Sequence, residues 1–316
     1  VQEAAFSLVP AEQLNDFKFR VGDILLQQLS EKELNASIFV VVNLLNAGSA
    51  STLGDLKRIR VAELNMQAAQ KATNFSAFSS AAKFARMGIE LLPGNTWTNH
   101  CELNLNLFSI AAESNCYLGN VESMEGFCNE VLKQDIPLLD KLRVYNVLVS
   151  NISNSGRHPE AVVLLLEILR QLGCKFPKSR ASRSLATLAS LAKARATLNS
   201  RTPEEIAKMP IMEDSVQIET MTLLNKLQTC CYLVQKDLMP LVIMKSIQLT
   251  LRYGLCESSP PALAGMGLIY TGVLGDLQAG SKIGDYTLLL FAKLESRSTF
   301  SRTTFILSTY VFSWTT

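Results

Sequence analysis

Histidine, cysteine and clustered carboxylates are the side chains that could supply a base, a nucleophile or a metal ligand. This sequence spaces them for none of those tasks. Its two histidines, His100 and His158, each adjoin a turn-like segment, and neither has a cysteine or carboxylate at metal-ligand spacing. They read as exposed loop imidazoles. The seven cysteines (Cys101, Cys116, Cys128, Cys174, Cys230, Cys231 and Cys256) are odd in number, form no Cys-x-x-Cys pair and sit mostly within apolar helical runs. That usage fits buried, reduced thiols of an intracellular, cytoplasmic protein. A Cys–His dyad would require distant segments to meet. Glu113, Glu122, Glu125 and Glu130 recur at helical spacing and read as a solvated face rather than an acid–base pair. No phosphate loop of the Gly-x-x-x-x-Gly-Lys-Ser/Thr type occurs, and no dinucleotide fingerprint follows a strand. The expectation is a segment with no catalytic residue, no metal site and no cofactor.

Binding is the remaining possibility, and charge locates it. Lys175, Lys178, Arg180 and Arg183 form the strongest local charge feature, read as a solvated basic loop able to dock an acidic partner or a phosphorylated segment. Arg86, Lys141 and Arg143 carry no pattern that marks them as ligands. The net charge of +2 argues against a dedicated nucleic-acid surface, as does the absence of basic residues interleaved with aromatics around Trp97 and Trp314. No apolar run reaches the roughly 18 residues of a membrane span. The chain begins at Val1 without Met and ends at Thr316, which suggests a fragment of something longer.

The elements that would position such a surface are helices. With 48% hydrophobic and 18% charged residues in 316, the chain can bury a substantial core without a disulfide or metal. Phe17, Val21, Ile24 and Leu25 step at helical spacing after Pro10, and Asn35 to Asn46 continues as a helix closed by Ala47-Gly48-Ser49. Ile38 to Val42 has strand propensity but no hairpin signal, so it is assigned to that helix. Val61, Leu64, Ala68, Ala69 and Ala72 line one helix face; Ala77, Ala81, Phe84, Ala85 and Ile89 line the next, closed by Pro93-Gly94-Asn95. Thr98–Leu118 with Val121–Leu132, and Leu138–Ser153 with Pro159–Leu172, form two further pairs. A helix from about Arg183 to Leu198 is expected to bury Leu185, Leu188, Ala189, Ala192 and Ala196. Thr202 caps a short helix, Asp237 caps the one that Pro240 enters, and long helices resume to the end.

Three turns share a grammar: Leu118-Gly119-Asn120, Ser155-Gly156-Arg157 and Leu274-Gly275-Asp276, each followed by a small or flexible residue five positions past the Gly. They resemble the turn between the two helices of a tetratricopeptide-like hairpin. Gly119 and Gly156 lie 37 residues apart, close to that repeat's period of about 34. Gly275 stands outside the period. The fold class expected is all-α, a degenerate tetratricopeptide-like helical-hairpin solenoid.

Motif order carries a more specific resemblance. Val1–Pro10, Phe19–Leu26, Ile38–Asn46, Ala62–Asn65, Gly88–Leu92 with Trp97, Tyr117–Asn120, Leu139–Tyr145 and Leu172–Pro177 occur collinearly. Together they resemble the helical region that follows the ATPase module in large serine/threonine and hybrid histidine signalling kinases, a module of the STAND type related to the AAA ATPases. The resemblance implies four segments. Residues 1–55 would close the ATPase module, 56–172 would form tetratricopeptide-like helix pairs, 173–182 a basic Pro-containing loop, and 183–316 further helical repeats truncated at the C-terminus. It implies a regulatory, protein-interaction role between an upstream nucleotide switch and downstream sensor or kinase domains, with no catalytic residue inside this segment. A self-standing adaptor for a peptide or protein partner is the alternative, and an all-α enzyme the third reading.

Overall fold

The fold is that of a computed structural model of the chain, which describes residues 8–48, 53–94, 96–199, 202–294 and 298–314. Val1 to Ser7 of the first resemblance motif, Ser49 of the expected Ala-Gly-Ser stop and Asn95 of the Pro-Gly-Asn stop lie outside them. The described residues are helical, with no strand; the one isolated bridge joins Ile211 to Leu255. The chain is all-α. It divides into two compact units, before and after Asn151, described here separately.

The first unit holds α1 (Ala11–Gln28), α2 (Glu31–Leu45), α3 (Asp55–Asn74), α4 (Phe78–Leu91), α5 (Cys101–Tyr117), α6 (Val121–Lys133) and the start of α7 (Leu138–Asn154). Helix α2 begins earlier than its apolar run because Ser30 and Glu33 form a capping box: the Ser30 hydroxyl accepts from the Glu33 N–H, and the Glu33 carboxylate accepts from the Ser30 N–H. Ile38 to Val42 is helical. Successive helices pack from α1 to α6, and α3 also touches α5. Val61, Leu64, Ala68, Ala69 and Ala72 are all buried against Ala81, Phe84, Ala85, Leu107 and Ile110. The alanines bring backbones close enough that little room is left for larger side chains. Within this core Asn65, fully buried, exchanges two side-chain hydrogen bonds with Asn46 (2.8 and 2.9 Å) and donates a third to the Val61 carbonyl. A second cluster joins Ala112, Met124, Cys128 and Val131 to Val144 and Val147 of α7.

The Gly119 and Gly156 turns share one hydrogen-bond pattern, whereas at Gly275 the Leu274 N–H donates to Ile269 O and the Asp276 N–H to Tyr270 O. At Gly119 (φ +75°), the Gly N–H donates to Cys116 O and the Asn120 N–H to Asn115 O, which ends α5 in a Schellman motif; Gly156 (φ +75°) repeats it with Ser153 and Ile152. Nothing lies within 4 Å of where a Cβ would stand at either glycine. Backbone conformation, not space, therefore demands Gly there. Residues 72–77 form the same motif between α3 and α4, with Ser76 N–H to Thr73 O and Ala77 N–H to Ala72 O, but the left-handed position holds Ser76 (φ +57°). The sequence grammar missed this turn because it searched for Gly. Relieving the left-handed strain on an L-residue outweighs the extra backbone entropy of glycine. Ser76→Gly is expected to stabilise the chain by about 0.5–1 kcal/mol, read as a higher midpoint in urea unfolding.

The second unit contains the end of α7, then α8 (His158–Gln171), α9 (Arg180–Asn199), α10 (Pro203–Ala207), α11 (Ser215–Val234), α12 (Met239–Tyr253), α13 (Ser259–Gly272), α14 (Leu277–Leu294) and α15 (Phe300–Ile306). A π-helical turn, Leu307–Val311, and a 3-10 turn, Phe312–Trp314, follow. Helices α9, α12, α13 and α14 surround a core that includes Met244, Ile247, Met266, Tyr270, Tyr286 and Leu290. Thr202 caps α10 as a complete capping box with Glu205. Asp276, the polar residue after Gly275, caps α14 by accepting from the Ala279 N–H at 3.1 Å. Asp237 caps nothing: α12 starts at Met239 behind Leu238, without a side-chain cap, and the carboxylate pairs instead with Arg183.

Candidate functional site

The basic segment is not a continuous loop. Ser179 accepts a hydrogen bond from the Ser182 N–H at 3.2 Å and so caps α9, which puts Arg180 and Arg183 in its first turn. Lys175, Lys178 and Arg180 are exposed. Arg183 is not: its Nε donates to the Pro177 carbonyl at 3.0 Å, its Nη1 lies 3.1 Å from Asp237 Oδ2, and only 16% of its side chain is exposed. Arg183 ties the 175–180 segment to the start of α12, leaving three of the four cations for a partner.

The larger correction concerns α9. The stripe expected to be buried, Leu185, Leu188, Ala189, Ala192 and Ala196, faces outward; Leu185 and Leu188 are 71% and 65% exposed. The helix packs through its opposite face, where Ala194 and Leu198 are buried and Leu191 lies against the Met244–Ile247 core. Small apolar residues occupy both sides of this helix, so period alone could not say which side goes inside. With about 3.6 residues per turn, Lys193 and Arg195 fall on opposite margins of the exposed stripe. Arg195 pairs with Asp276 at 3.2 Å. Lys193 and Arg252 line a groove at the α9–α12 edge together with Gln248 and Leu251. From Ile168 to Pro203 the sequence has eight Lys or Arg and no Asp or Glu. Long apolar knobs thus stand on an alanine bed, bordered on one side by Lys193 and on the other by the ion-paired Arg195.

The residues capable of chemistry stay apart. Cys101 and Cys116 are half-buried and the other five cysteines buried, with no disulfide. Burial pushes the Cys128 and Cys231 thiols up to about 12 and Cys174 up to about 11. At pH 8 these three carry almost no thiolate, the form that reacts. In the native chain they are therefore expected to resist iodoacetamide at pH 8 while Cys101 is alkylated first, a pattern that peptide mapping reads directly. His100 precedes α5, whereas His158 opens α8 with Nδ1 buried and no hydrogen-bond partner, so it is not an exposed loop imidazole. Among the described residues no three His, Cys, Asp or Glu side chains converge as a metal site would require. Glu113 leaves the solvated acidic face assigned to it: Arg143 holds it in a two-pronged ion pair (2.7 and 2.8 Å) that joins α5 to α7 and also engages Asn106.

One site escaped the sequence reading altogether. Arg302 of α15 reaches the α11 face formed by Asn225, Gln228, Thr229 and Tyr232, beside a cavity of about 160 Å³. Arg302 and Asn225 are 77 residues apart, and the cavity exists only after α11, α13 and the π-helical turn have packed. No local motif could announce it.

No protein-family model matches the chain, and no curated protein sequence matches it. No helix among the described residues is long and apolar enough to cross a membrane.

Proposed function

We propose that this chain is a protein-interaction segment, a degenerate tetratricopeptide-like solenoid of helical hairpins that docks an acidic amphipathic helix on the outward face of α9. The observation that carries the reading is the exposure of Leu185 and Leu188 on a 20-residue helix that contains Arg and Lys and no acidic residue. The sequential packing of α3 on α4, α4 on α5 and α5 on α6, with α3 also against α5, supports the hairpin-repeat arrangement. In the same proposal the segment belongs to a multi-domain signalling kinase, a reading supported by the collinear motifs. There it relays between a nucleotide-driven ATPase module and sensor or kinase domains, with the docked helix supplied by a neighbouring domain or a protein partner. Physically, a bound helix would bias how consecutive hairpins stack, and attached domains would move with them.

The test is a titration of the chain into a fluorescent 21-residue helical peptide with leucines at core heptad positions and glutamates on both flanks. Saturable binding that weakens about tenfold or more between 50 and 300 mM salt is the expected result, because surface charges are screened within a Debye length. The same peptide with lysine flanks should not bind. Equal binding of both peptides would overturn the reading, and so would a preference for anionic vesicles or single-stranded RNA over the acidic peptide.

A further inference from the structure

Arg302 is a half-buried cation with no anion beside it among the described residues. Its Nη1 donates to the Asn225 carbonyl at 2.8 Å and to the Asn225 side-chain oxygen, whereas Nε and Nη2 reach no acceptor among the described residues. Among the described residues no carboxylate pairs with it, and burial pulls its pKa down to about 10. The cavity beside it is walled by Met239, Leu268, Phe305 and Ile306, and none of its lining side chains is acidic. Tyr232 and Tyr310 share a hydrogen bond of 2.8 Å between their hydroxyls at its edge. The π-helical turn fixes Tyr310 there, since its carbonyl accepts from the Thr271 hydroxyl at 2.6 Å; such turns recur at functional sites. Desolvating a guanidinium without a partner is costly, so an arrangement of this kind is explained by an anion that arrives from outside.

We propose that this cavity binds a small apolar monocarboxylate, with Arg302 receiving the carboxylate through Nε and Nη2 and the Met239–Leu268–Phe305 walls enclosing the apolar body. Two free donors on one fork match one carboxylate side-on. A doubly charged phosphate would bring more charge than the single cation neutralises. A volume of about 160 Å³ accommodates a body of one aromatic ring; an engineered apolar cavity of about 150 Å³ in another protein takes benzene. The site is distinct from the α9 face and would exist whether or not that face docks a helix.

The experiment uses the full 316-residue chain with methyl-labelled Met and Leu, titrated with phenylacetate, benzoate and hexanoate while NMR follows the Met239 and Leu268 methyls. Saturable shifts confined to these methyls and their neighbours are expected. The neutral analogues phenylacetamide and hexanamide should bind at least about tenfold more weakly, because they lose the charge-assisted pair. Inorganic phosphate should not compete at equal concentration. Arg302→Met is expected to fold, since it removes an uncompensated charge, and to lose about tenfold or more in affinity; Arg302→Lys should recover part of it. Should Arg302→Met fail to fold, the comparison of acid with amide in the unaltered chain still decides. Absence of saturable shifts up to about 10 mM, equal binding of acid and amide, or competition by phosphate would overturn the assignment. Tighter binding of a Phe-ending peptide with a free C-terminus than of phenylacetate would also overturn it, in favour of a protein terminus as the occupant.

Discussion

Gly254→Ala is expected to destabilise the second unit by about 3 kcal/mol or more, a fall in its unfolding midpoint of roughly 10 °C. Gly254 ends α12 at φ +106° and ψ −171°, a region essentially closed to residues with a Cβ. The added methyl would also stand 2.4 Å from the Pro210 carbonyl oxygen and 3.2 Å from the Met212 nitrogen. These are backbone atoms held by the short bridge itself: Leu255 N–H donates to Pro210 O, and Met212 N–H to Leu255 O, both at 2.8 Å. Neither side can yield without breaking the connection between the segment after α10 and the end of α12. Gly126→Ala serves as the opposite case. Gly126 is exposed within α6, with nothing within 4 Å of a built Cβ, so alanine there should stabilise by about 0.5–1 kcal/mol. Thermal unfolding of the two variants should move in opposite directions.

A second large effect is expected where α4 crosses α5. A Cβ on Gly88 would meet Leu107 Cδ2 at 2.6 Å and the Asn65 Cβ at 3.3 Å. Leu107 is fully buried among alanines, and Asn65 is fixed by its three hydrogen bonds. Gly88→Ala should therefore cost about 1–3 kcal/mol by overpacking. Leu107→Ala alone should cost about 3 kcal/mol, through lost burial and the cavity left behind. In the double variant the new methyl enters part of the space that Leu107 vacates. Its cost should fall short of the sum of the singles by about 1 kcal/mol or more. Urea unfolding of the four proteins closes the cycle. Additive costs would mean that the two side chains do not meet.

Much of the helical architecture was legible because its signals are local. Gly119 and Gly156 end helices where an L side chain is strained, and the Thr202–Glu205 box names a helix start by hydrogen-bond chemistry alone. The alanine face of α3 has a polar opposite side, so its burial followed from periodicity. Four features did not follow. Ser76 occupies a turn position that usually advertises itself through Gly. Helix α9 carries small apolar residues on both faces, and the choice between them rests on α12, a partner more than forty residues later in the chain. Arg183, the last of the four basic candidates, is spent on Pro177 and Asp237 rather than offered to a partner. The Arg302 cavity depends wholly on tertiary packing, and in the sequence its arginine is one of thirty basic residues.

The measurement that bears most directly on the α9 docking surface is the double substitution Leu185→Glu with Leu188→Glu, assayed for both stability and binding of the acidic helical peptide. Surface substitutions away from packed features usually stay within about 0.5 kcal/mol. The unfolding midpoint should therefore be unchanged, while peptide affinity should fall by a factor of about 100 as two apolar anchors become like charges. A stability lowered by about 3 kcal/mol or more, as expected of a face packed in the core, or an affinity left where it was, would contradict the account.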